Sequence, residues 1–72
     1  MTKAIYFLKA IEKDGKLKKM CTVFNVSYRK IKNITDEKTP PSLSTMKALL
    51  RIIPINCWFV DATKEMEKKL QA

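Results

Sequence analysis

The sequence predicts an all-α fold, a compact bundle of about five short helices, on three observations. Apolar residues recur three or four apart, the spacing that sets side chains on one face of a helix. Hydroxyl and amide residues such as Asn25, Ser27 and Ser42 stand where helix ends need capping. Stop signals separate the segments at Asp14-Gly15, Asn25-Val26-Ser27, Pro40-Pro41 and Pro54. With 46% hydrophobic residues and one glycine in 72, the chain reads as a single folded domain, close to the lower size limit for one core.

In chain order, Thr2 to Lys13 is predicted as the first helix, with Ala4, Leu8 and Ile11 on its apolar face and Ile5 and Phe7 widening it. Tyr6 falls off this stripe and reads as a half-buried packing residue. Lys16 to Asn25 is the second helix, with Met20 and Phe24 an i, i+4 pair. Asn25 tolerates the left-handed backbone that ends a helix, and Ser27 can cap the next one. Tyr28 to Ile34 is that third helix, with Ile31 and Ile34 turned inward. Thr35 to Pro41 reads as a polar loop. Ser42 caps a fourth helix with Leu43, Met46, Leu49, Leu50 and Ile53 toward the core and Lys47 and Arg51 outside. Asn56 caps a last helix, about 57–70, whose stripe is Phe59, Ala62, Met66 and Leu70, beside Trp58 and Val60 at its start.

The stretch 16–34, helix, tight turn and capped helix, organises the rest. Burying Ile31 and Ile34 leaves Tyr28, Arg29, Lys30, Lys32 and Asn33 facing outward: cations, an amide and a phenol, with no acid. Such a face suits base edges in a DNA major groove and the phosphates beside them. Charge is placed accordingly. The net charge is +8, and residues 1–32 hold nine basic and two acidic side chains against six and five in the remainder. Lys16, Lys18 and Lys19 crowd a helix start, where cations oppose the helix dipole, and a row of phosphates would compensate them. The competing reading is tolerated, solvated lysines.

Residues 16–55 resemble the helix-turn-helix core of the lambda-repressor-like (phage repressor and Cro) family. The resemblance rests on Met20, Phe24, Val26, Ile31 and Ile34 at its apolar positions, Cys21 at a small one, Ser27 opening the recognition helix, and Pro41-Ser42-Leu43-Ser44-Thr45-Met46 in ungapped register. It implies double-stranded DNA as partner and a repressor-type transcriptional regulator. It assigns Tyr28, Arg29, Lys32 and Asn33 to base edges. Ser27, Lys30, Lys38 and Thr39, with Lys16, Lys18 and Lys19, are assigned to the DNA backbone. The chain departs from the family pattern in four places. Lys16 and Leu17 replace a Thr-Gln whose Gln clamps phosphate, Thr35 replaces a glutamate, and Glu37 replaces a glycine.

Other classes fare worse. The chain has no His, no paired-acid motif and no Gly-rich phosphate loop, so no enzyme, small-molecule substrate or cofactor is expected. Cys21 and Cys57 lack metal-ligand neighbours and read as free, small hydrophobes. No signal peptide precedes Thr2, and Ile52 to Val60 is too short to span a bilayer, which sets the expectation of a cytoplasmic protein. Trp58, Phe59, Met66 and Leu70 either complete the core or form a homodimer contact. The alternative function is a protein-interaction module on the same fold, antitoxin- or anti-repressor-like, acting through the C-terminal apolar helix.

Overall fold

A computed structural model describes residues 1–71 as five α-helices: α1 Lys3–Lys13, α2 Leu17–Val23, α3 Tyr28–Thr35, α4 Leu43–Ala48 and α5 Lys64–Gln71. A 3-10 helix, Ile55–Trp58, lies between α4 and α5. The expected small all-α bundle is therefore what forms.

Local chemistry explains most boundaries. The Thr2 hydroxyl accepts from the Ile5 amide, Ser27 from Lys30, Ser42 from Thr45 and Thr63 from Met66, each satisfying an amide that a helix start leaves without a partner. The helices α1, α2 and α3 end alike, on a left-handed residue: Gly15 (φ 73°), Asn25 (φ 54°) and Glu37 (φ 61°). In each case the next amide reaches back to a carbonyl five residues earlier: Lys16 to Ile11 at 3.1 Å, Val26 to Cys21 at 3.0 Å and Lys38 to Asn33 at 2.9 Å. These are Schellman closures, which satisfy the last carbonyls while reversing the chain.

The core gathers around α1. Ala4, Ile5 and Leu8 pack with Leu17, Met20 and Cys21 of α2, Ile31 and Ile34 of α3, Met46 and Leu49 of α4, and then Ile53 and Trp58. Several expectations are corrected here. Lys16 and Phe24 are flanking caps, so α2 is shorter than 16–25, and Leu17 is a core residue. Thr35 belongs to α3 rather than a loop and is fully buried; its hydroxyl donates to the Ile31 carbonyl at 2.7 Å, which is how a polar side chain survives there. Phe7 is 41% exposed. Helix α4 stops at Ala48 because the chain tightens into turns, Leu50 bonding Lys47 and Ile52 bonding Leu49. That tightening turns Leu50 outward, and Leu43, in the unpacked first turn, is exposed as well.

The single helix expected over 57–70 does not form. Trp58 is drawn into the core, 4% exposed, while the backbone beyond it pairs with the chain start: Lys3 donates to Val60 at 2.8 Å and Ala62 to Met1 at 2.8 Å. An isolated bridge, Thr2 to Asp61, marks this strap, and an extended strap cannot also be helix. Thr63, not Asn56, then caps the last helix.

Candidate nucleic-acid interface

Helix α3 carries the candidate surface. At about 100° per residue, Arg29 and Asn33 lie on the side opposite Ile31, with Tyr28 and Lys30 on its flanks. Tyr28, Arg29 and Lys30 are exposed and Asn33 is half-buried. The left-handed Asn25 and the Ser27 cap fix the helix start, so its first turn is held in one orientation. Lys30 shares a shallow cleft of about 240 Å³ with Asn25 and Ser27 and, across it, Ser44 and Thr45 of α4. One cation, three hydroxyls and an amide around that space are the donor types that meet phosphate oxygens. Sequence reasoning does not single out Ser44 and Thr45 for this role; their nearness to Lys30 depends on how α4 packs.

The remaining candidates divide. Lys32 is half-buried and turned aside. Its ammonium bonds the Glu12 carboxylate at the end of α1 and, at 3.2 Å, the Asp36 carboxylate. Hydrogen bonding to Glu12 first, and to Asp36 second, holds its pKa above the ordinary lysine value. Here it ties two helices together, apart from Tyr28, Arg29 and Asn33, with which the sequence groups it. Lys9 similarly pairs with Glu37 at 3.2 Å.

The three lysines at the start of α2 do not form one row. Lys16 and Lys19, three residues apart, share a flank and line a groove against α1, whereas Lys18 lies on the other flank beside Thr22. Leu17 faces the core and cannot reach phosphate. Lys38 and Thr39 line a separate cleft past the far end of α3, with Met1, Thr2 and Asp61. Among the described residues, Lys16, Lys18, Lys19, Arg29 and Lys30 make no ion pair.

The stripe assigned to a dimer contact is broken up. Trp58 is core, which removes it as an exposed contact; Phe59 is 73% exposed in the strap; Met66 and Leu70 are half-buried on different clefts. Both cysteines are free, and burial pushes the Cys21 thiol pKa up, so it is poorly disposed to ionise. Among the described residues no group of His, Cys, Asp and Glu could hold a metal ion, and no helix is long and apolar enough to cross a membrane.

No protein-family model, curated protein or solved structure matches this chain. A functional reading therefore rests on the chain's own residues.

Proposed function

We propose that this chain binds double-stranded DNA sequence-specifically, inserting α3 into the major groove, and serves as a small repressor-type regulator. One observation carries the reading. The exposed start of α3 gathers Tyr28, Arg29 and Lys30 with no acid beside them, whereas Glu12, Asp36 and Glu37 are tied to Lys32 and Lys9 at the other end of the helix. Recognition helices of this kind touch base edges with their first turns, and repulsion from carboxylates there would be costly against a polyanion. Arg29 offers a guanine two hydrogen bonds, Asn33 suits an adenine, and Tyr28 meets a sugar or a thymine methyl. Ser27 and Lys30, with Ser44 and Thr45 across the cleft, take the flanking phosphates, and Lys18 adds a further cation. A domain this small makes few base contacts, so two copies on half-sites about one helical turn apart supply the specificity.

Selection of bound sequences from a random DNA pool tests the reading and is expected to return a palindromic consensus. Against the selected site, Arg29→Ala should cost about 1–3 kcal/mol and relax preference at one base pair. Lys18→Ala should weaken all sequences alike and flatten the salt dependence. A pool with no consensus, or an Arg29→Ala protein that binds the site like the parent, would reject it.

A further inference from the structure

Two apolar grooves share Phe7 and Ile52 as a common wall. The first, about 430 Å³, lies between α1 and α2, where Met20, Val23 and Phe24 line it. The second, about 270 Å³, continues past Pro54 and Cys57 to Met66 on α5. Their walls are open to solvent, Val23 being 69% exposed, and their floor is core, Met20 in one and Ile53 in the other. Every charged residue on them is a lysine: Lys16 and Lys19 on the first, Lys3 on the second. None of the three makes an ion pair among the described residues.

We propose that this joined groove is a docking site for an acidic amphipathic helix of another protein. Its apolar stripe would fill the space between Phe7, Val23 and Ile52, and its flanking carboxylates would meet Lys3, Lys16 and Lys19. Charge selects the occupant. A second copy of this chain would bring a net +8 to a rim that is already cationic, and four of its seven carboxylate side chains are held in internal ion pairs. An anionic lipid surface is the other partner a cationic apolar groove would fit, and the vesicle measurement below separates it from a helix. The groove uses none of Tyr28, Arg29, Lys30 and Asn33, so the proposal stands whether or not the chain binds DNA.

The test uses two displayed libraries of helical peptides about 16 residues long with apolar residues at i, i+3, i+4 and i+7. One carries Glu and Asp at the remaining positions and the other Lys and Arg. Only the acidic library is expected to enrich on the whole chain. By fluorescence anisotropy, Val23→Asp should weaken an enriched peptide at least about tenfold, as should the double variant Lys16→Glu, Lys19→Glu. The second loss should shrink at about 0.5 M salt, since exposed charges are screened there. All three positions are exposed, and circular dichroism reports whether the variants fold. Absence of acidic binders, or binders indifferent to both variants, overturns the proposal. It is equally overturned if Val23→Asp instead abolishes a dimer seen by sedimentation, or abolishes binding to vesicles rich in phosphatidylserine.

Discussion

Thr35 shows how much one buried hydroxyl depends on its geometry. With no exposed surface, it survives in the core because its hydroxyl donates to the Ile31 carbonyl one turn back. A carboxylate at this position would be cut off from solvent, and Lys32, one turn back, is already shared by Glu12 and Asp36. Thr35→Glu should therefore destabilise by about 3 kcal/mol or more. Thr35→Ser, which keeps the hydroxyl and loses one methyl, should cost about 1 kcal/mol. Thermal unfolding followed by circular dichroism separates them, because each kcal/mol moves Tm by about 4–8 °C in a domain of this size. Similar stability of the two variants would mean the site opens to water.

At the scale of elements, the three left-handed closures set the angles between α1, α2, α3 and the loop that leads to α4. Gly15 adopts that conformation freely, Asn25 at small cost, and Glu37 at the cost any residue with an ordinary Cβ must meet. Val has a branched Cβ that clashes most severely there. Asn25→Val should accordingly lose about 1–2 kcal/mol of stability, while Asn25→Gly stays within about 0.5 kcal/mol of the parent. Urea denaturation measures both, and equal midpoints for the two would contradict a left-handed turn at Asn25. Because this turn aims the start of α3, the DNA reading proposed above requires affinity for a selected site to fall with Asn25→Val even at temperatures where the variant remains folded. Helix α2 has little local support: Lys16 provides no side-chain cap, and three lysines face the positive end of its dipole. Its place is held by Leu17, Met20 and Cys21 in the core.

Over the whole molecule, charge is sorted by the packing. The ion pair Lys32–Glu12 joins the ends of α1 and α3, Lys32–Asp36 runs along α3 to its cap, and Lys13 donates to the Leu70 carbonyl at 3.2 Å near the end of α5. Since the Lys32 pKa in the folded protein is raised above its ordinary 10.5, the stability it confers is fully present below that pH. It is lost as pH rises through the folded value. The Tm of Lys32→Met should thus lie below the parent at pH 7 and approach it above about pH 10.5. A gap that stayed constant across that range would show that the ammonium contributes through packing alone. The same sorting leaves the start of α3 cationic, and it leaves Lys16 and Lys19 on a different face from Lys18.

The order of residues alone was enough for what is local. Periodic apolar residues placed α1 and the inward face of α3, and the chemistry of Gly15, Asn25, Ser27 and Ser42 placed helix ends, because a cap or a left-handed turn is decided within a few residues. Tertiary packing settled what depends on distant neighbours. The region after Pro54 carries helical spacing, yet pairing of Val60 and Ala62 with the chain start and burial of Trp58 divide it into a 3-10 turn and α5. Lys32 looks from its spacing like a base reader, and only the approach of Glu12, twenty residues earlier, turns it into a tie between helices. Local hydrogen bonds are written in adjacent residues, whereas burial and ion pairing belong to whichever surfaces the folded chain brings together.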